Sequence, residues 1–194
     1  FFYKKGEYFY AICGDATGHG VISGMMVSVT KAGLHGIPMA EPSKILGQLN
    51  QIVKKVNFGR LRMSLSVAKF NPNNVELSSA AMPPTYIFSS KNNTLEEILV
   101  PNLPLGGIET EKFNGIKKEF KSGDVMVMIS DGLPELPNPS KEMLDYKKVF
   151  NCIKNNAKKS ANEIKDALVS LSDDWSKDTL NPDDITIVVI KKTD

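Results

Sequence analysis

Cysteine and histidine are scarce, with two of each in 194 residues. Cys13 and Cys152 form no C-x-x-C pair, and with only His19 and His35 beside them a tetrahedral zinc site needs all four to converge. Reduced thiols in a reducing, cytoplasmic compartment are the reading this usage favours. No apolar run approaches the roughly 20 residues of a membrane span, and no charged-then-apolar leader opens the chain. An excess of one charge is missing too. Lys and Arg number 24 against 22 acids, a net +2, which is too small and too even to argue for nucleic acid or an anionic membrane. Also absent are the G-x-x-x-x-G-K-[ST] phosphate loop, the dinucleotide fingerprint and the G-x-S-x-G nucleophile elbow. What remains is an ordinary globular composition, 41% hydrophobic and 24% charged. It suits a single domain over 1–194 whose core needs no disulfide or structural metal. The first residue is Phe rather than Met, so the chain reads as a piece of something longer.

The hydrophobic pattern orders the elements. FFY, a turn at Lys4 to Glu7 and the run Tyr8 to Cys13 predict a hairpin, followed by a glycine-bearing turn from Gly14 to Gly20. Met25, Met26, Val29, Ala32 and Gly33 recur at helical spacing up to Gly36-Ile37-Pro38. Ile45, Leu49, Ile52, Val53 and Val56 predict a second helix after Glu41-Pro42-Ser43, ended by Asn57 and Gly59. Short strands are expected at 63–68, Val75 to Ala81, Thr85 to Ser89 and Leu95 to Val100. Val125 to Ile129 is apolar on both faces, as in a mid-sheet strand. Helices follow at about Lys141 to Asn156 and after Ser160, whose partner Glu163 makes a capping box; Ile185 to Ile190 closes the order. The order β, αα, many β, αα, β predicts an α+β fold, two antiparallel sheets packed as a sandwich with a helix pair on each outer face.

Three acidic positions share one context, the junction of an apolar strand and a turn. Asp15 follows Tyr8 to Cys13, Asp131 follows Val125 to Ser130, and Asp183-Asp184 precede Ile185 to Ile190. A carboxylate beside such a strand is costly to bury without a cation, and no Lys or Arg adjoins any of them. A hard divalent ion, Mg²⁺ or Mn²⁺, accepts carboxylate and backbone carbonyl oxygens and satisfies all three. Turn capping by Asp side chains is the plainer alternative. Cys13, inside an apolar strand, is expected to be inert, Met25 and Met26 to be core, and Arg60 and Arg62 to be solvated or paired.

Five segments then carry a resemblance. Gly14-Asp15-Ala16-Thr17-Gly18-His19-Gly20 resembles the GD-x-x-GHG motif of SpoIIE-like, RsbU-type phosphatases, a bacterial branch of the PPM metal-dependent protein phosphatases. Ser79 to Pro84 is similar to its SAG-x-PP segment, and Leu103-Pro104-Leu105-Gly106 to its PLG. Gly123-Asp124 through Ser130-Asp131-Gly132-Leu133-Pro134-Glu135 resembles its GD-x-(hydrophobic)-[ST]DG-x-x-E block, and Asp183-Asp184-Ile185-Thr186 its terminal DD-x-T. The five occur in order over nearly the whole chain. The resemblance implies a PPM-like β-sandwich and a two-metal site of Mn²⁺ or Mg²⁺. In it Asp15 bridges the ions, the Ala16 carbonyl adds a ligand, and Asp131, Asp183 and Asp184 complete the set. It implies direct hydrolysis of phosphoserine or phosphothreonine on a protein, typically a STAS-type anti-anti-sigma factor. It also implies an upstream sensor domain, which in the parent protein can carry a membrane anchor, together with homodimerisation and a regulatory switch in the helix pair Val21 to Val56.

Two departures stand out. The family's upstream GGD-x-x-D acid has no counterpart before Glu7, so the first strand is expected to lie outside this fragment. His19 comes four residues after Asp15, whereas the type-2C histidine that serves as general acid comes two after, so that role is not carried over. Two alternatives stay open: a catalytically inactive, partner-binding module of the same fold, and a sheet-rich ligand-binding domain that uses the acids structurally.

Overall fold

The computed structural model of the chain describes residues 1–177, 179, 181 and 183–193. It divides into two compact units, one of Phe1–Met82 with Leu99–Glu119, the other of Pro83–Ile98 with Phe120–Asp194.

The first unit holds strands β1 (Phe2–Lys5), β2 (Tyr8–Ala16), β3 (Met63–Phe70), β4 (Asn74–Ala80) and β7 (Gly115–Glu119) and helices α1 (Val21–Gly36) and α2 (Pro42–Val56). The sheet order is β1-β2-β3-β4-β7, every pair antiparallel. Its core forms where Met26 and Leu34 of α1 and Ile45, Leu46, Leu49 and Val53 of α2 meet Tyr10, Ile12, Met63, Leu65 and Val67 of the sheet. Apolar area removed from water there supplies the driving force, at about 25 cal/mol per Å².

The second unit holds β5 (Thr85–Ser89), β6 (Thr94–Ile98), β8 (Val125–Ile129), β9 (Ile187–Lys191), α3 (Tyr146–Asn156) and α4 (Ala161–Ser176). Its sheet order is β6-β5-β8-β9, also antiparallel. All five residues of β8 are buried, as its two-sided apolar sequence requires. Ser160 and Glu163 form the expected capping box at the start of α4. The α+β class, with two antiparallel sheets and a helix pair in each unit, is the one expected.

Several details differ from the sequence reading. β2 runs on through Gly14, Asp15 and Ala16, so the turn begins only at Thr17. A side chain at Gly14 would meet Leu65 Cδ1 at 2.4 Å, and the bare backbone lets β2 lie close to β3 there. Met25 and Val56 are exposed, while Leu46, Ser23 and Thr30 are buried instead. The two hydroxyls bury because each donates locally, Ser23 to the Thr17 carbonyl and Thr30 to the Met26 carbonyl. α3 starts at Tyr146 rather than Lys141, because residues 138–145 close a loop of their own. There the Asn138 side chain accepts from the backbone N–H of Ser140 and Glu142, and Lys141 and Asp145 take left-handed backbone angles. β7 (GIKKE) went unanticipated. It is an edge strand with four of its five residues exposed, and such a strand has no apolar alternation to read.

Ala81 stands at the position where the resembling SAG-x-PP segment has glycine, and its φ is +56°. A left-handed L-residue costs about 1 kcal/mol. Ala81→Gly is expected to stabilise the chain by about 1 kcal/mol in urea unfolding. Cys13 is 1% exposed, and burial pushes its thiol up to about 12. A maleimide at neutral pH is expected to label Cys152 first, with Cys13 reacting only after denaturant is added.

Candidate metal centre

In the first unit the expected ligands Asp15 and Ala16 are the last residues of β2, opposite Ser64 and Met63 of β3. The pairing continues one residue further, with the Thr17 N–H donating to the Arg62 carbonyl at 3.0 Å. Gly18 (φ +80°) and Gly20 (φ +86°) then turn the chain into α1. Met63 exchanges two backbone hydrogen bonds with Leu105 of the Leu103-Pro104-Leu105-Gly106 segment. That segment is in turn held by α2. Asn50 accepts from the Gly106 N–H at 2.8 Å and donates to the Ile108 carbonyl, and the Lys54 ammonium donates to the Gly107 carbonyl. Ala16 is therefore backed by main-chain pairing as far as residues 105–108, which α2 side chains hold in turn. Arg62 donates to the Gly59 and Leu61 carbonyls, and His19 is exposed.

In the second unit β8 has an aspartate at each end, and the two are treated oppositely. Asp124, 5% exposed, accepts from the Ser90 N–H at 2.7 Å and the Lys121 N–H at 2.8 Å, one on each oxygen. Asp131 has its Oδ1 buried without a hydrogen-bond partner among the described residues. A buried carboxylate oxygen in that condition is costly unless a cation meets it.

The segment before β9 lies against this end of β8. Asp183 and Asp184 are exposed, and one carboxylate oxygen of Asp183 lies within 4.8 Å of one of Asp131. The other acid, Asp184, contributes backbone: its N–H donates to Asp183 Oδ1 at 2.8 Å, and its carbonyl accepts from the Ser130 hydroxyl at 3.2 Å. Gly132 closes the packing, since a Cβ there would sit 2.3 Å from the Asp184 carbonyl oxygen. Asp131 and Asp183 are thus brought together within the second unit, while Asp15 and Ala16 stand at one strand end of the first.

The donor set fits a hard divalent cation. In the second unit it is a carboxylate pair, one of whose oxygens is buried without a hydrogen-bond partner among the described residues, and no thiol or imidazole is required. Ser130 and Thr186 lie in the [ST]DG and DD-x-T segments quoted above, but the sequence assigned neither a role. Hydroxyls flanking the acids, in Ser130-Asp131 and Asp184-Ile185-Thr186, were the available signal.

Known proteins resemble the chain along nearly its whole length. The family model described as stage II sporulation protein E (SpoIIE) matches residues 5–193. The phosphoserine phosphatase RsbU of Bacillus subtilis (strain 168) is 24% identical over 200 residues, covering 98% of this chain and 58% of the relative. The chain therefore spans a little over half the length of that curated relative. Among solved structures, the SiaA-PP2C domain of Pseudomonas aeruginosa superposes with a TM-score of 0.89 at 15% identity, over 99% of this chain and 79% of that one. The catalytic domain of the serine threonine protein phosphatase PstP, solved with 2 manganese ions, superposes with a TM-score of 0.67 at 16% identity, over 100% of this chain and 90% of that one. These likenesses show the fold, which is that of the PP2C-type structures.

The contact at Gly132 gives a direct test. Gly132→Ala is expected to cost about 1–3 kcal/mol in urea unfolding, because the new methyl group meets backbone that the Ser130 hydrogen bonds hold in place. An unchanged midpoint would show that the Asp183-Asp184 segment is free to move away.

Proposed function

This chain belongs to the stage II sporulation protein E (SpoIIE) family, and on that premise we propose that it is a divalent-metal-dependent protein phosphatase domain acting on phosphoserine or phosphothreonine. The observation that carries the reading is the buried, unpartnered Asp131 Oδ1 beside the Asp183 carboxylate. Asp15, the Ala16 carbonyl, Asp131 and Asp183 would hold Mn²⁺ or Mg²⁺, with Asp184 the remaining acid of the set. The manganese ions of the PstP structure support that choice of metal. When bound, such ions neutralise phosphoryl charge and lower the pKa of water for direct attack.

The chain's own residues position and exclude. β3, registered against β2, fixes the Asp15 carboxylate and the Ala16 carbonyl at one strand end. β8, buried along its length, keeps bulk water from the base of Asp131. Asp183 spends Oδ1 on the Asp184 N–H, which leaves its second oxygen for the ion. No covalent phosphoenzyme is needed, in keeping with a sequence that has no nucleophile elbow and with a Cys13 thiol that burial keeps protonated.

The substrate proposed is a phosphorylated STAS-type anti-anti-sigma protein, read by a parent protein that joins this domain to an upstream sensor and dimerises. The RsbU relative, a phosphoserine phosphatase of which this chain covers 58%, supports the phosphoserine chemistry and a parent longer than this domain. No helix among the described residues is long and apolar enough to cross a membrane.

Phosphate release from a phosphoserine protein, measured with and without Mn²⁺, tests the reading. Turnover is expected only with metal, lost on chelation, and at least about 100-fold lower in Asp131→Asn. A folded chain that neither binds Mn²⁺ nor releases phosphate would overturn it.

A further inference from the structure

We propose that Ser130 is a positioning residue whose buried hydroxyl sets the distance between the Asp131 and Asp183 carboxylates. The inference rests on the metal-site reading above and concerns a residue that touches neither ion nor substrate.

Strand pairing between β8 and β9 ends at Ile129 opposite Ile187. Both aspartates lie beyond that point, so the ladder itself does not hold them. Past it, the Ser130 N–H donates to the Thr186 carbonyl at 3.0 Å. The Ser130 hydroxyl then accepts from the Thr186 N–H at 2.9 Å and donates to the Asp184 carbonyl at 3.2 Å. A serine hydroxyl has one proton to give and lone pairs to receive, and here both capacities are used on one segment. The residue is 0% exposed, so water does not compete for these bonds. Ser130 precedes Asp131 directly, and Asp184 and Thr186 follow Asp183 by one and three residues. A single side chain thus ties the backbone at one ligand to the backbone at the other.

Gly132 works from the opposite side. Its bare Cα lets the Asp184 carbonyl come in until a methyl group would be 2.3 Å away. Ser130 pulls the Asp183-Asp184 segment toward β8, and Gly132 lets it arrive. Without the hydroxyl, the Asp184 carbonyl and the Thr186 N–H lose a buried partner, and the segment moves to find others. The carboxylates then no longer present oxygens at the separation the ions require. Partners that orient metal ligands typically matter 10–100-fold in metal affinity.

The test is Mn²⁺ titration by calorimetry of the wild-type chain, Ser130→Ala, Ser130→Cys and Asp131→Asn, with near-UV circular dichroism and metal-free thermal unfolding of each. Ser130→Ala is expected to keep the native spectrum and bind Mn²⁺ about 10–100-fold more weakly. Ser130→Cys, with a weak donor and acceptor in place of the hydroxyl, is expected to fall between it and the wild type. A purely structural serine would lower the metal-free midpoint and leave the Mn²⁺ affinity alone. If Ser130→Ala binds as tightly as wild type while Asp131→Asn has lost binding, the inference is wrong and the metal site stands. If Asp131→Asn also binds as wild type, the metal-site reading itself fails, and this inference with it. Should Ser130→Ala not fold, Ser130→Cys decides: wild-type affinity there overturns the proposal, and weakened affinity supports it.

Discussion

A strand buried on both faces denies water to the charges at its ends, and the second unit is organised around that constraint. β8 solves it in two ways. At its start, Asp124 collects backbone N–H groups on both oxygens and becomes an internal staple between the β5–β6 turn and the approach to β8. At its end, Asp131 keeps a buried oxygen with no hydrogen-bond partner among the described residues. Two residues of one chemical type, flanking one strand, thus meet opposite surroundings. What separates them is whether backbone amides point at them.

The first unit places its strand end through main-chain pairing that α2 side chains anchor. Its expected ligands include a carbonyl, and a carbonyl can be placed only by placing backbone. The register of β2 on β3, the Met63–Leu105 bridge and the Asn50 and Lys54 hydrogen bonds to residues 106–108 form one continuous lattice behind Ala16. Side chains of α2 are the far end of that lattice.

Much of this was legible before the structure. The capping box at Ser160, the doubly buried β8 and the three strand-end acids could be read because each depends on a local pattern of hydrophobicity or capping chemistry. The resemblance across five ordered segments added the family. Other features depend on partners remote in sequence and left no local trace. β7 exists because β4 offers it an edge, and its own residues are mostly charged. The burial of Ser23 and Thr30 in α1 depends on carbonyls that accept their hydroxyls. Ser130 was legible only as a position in a motif, because its hydroxyl's partner Thr186 lies 56 residues away.

The path of the chain through its two units also sets a timetable. The polypeptide leaves the first unit after Met82 and returns at Leu99, and the strand that completes the first sheet is β7 at Gly115–Glu119. A ribosome therefore delivers β5 and β6, which belong to the other sheet, while the outer edge of β4 still waits for its neighbour. At 5–20 residues per second the wait from Ala80 to Glu119 lasts roughly 2–8 seconds. During that time β4 is a growing chain's open edge, and its Glu76, the partner that Lys117 of β7 will later meet, is the charge on hand to discourage a foreign strand from pairing there first.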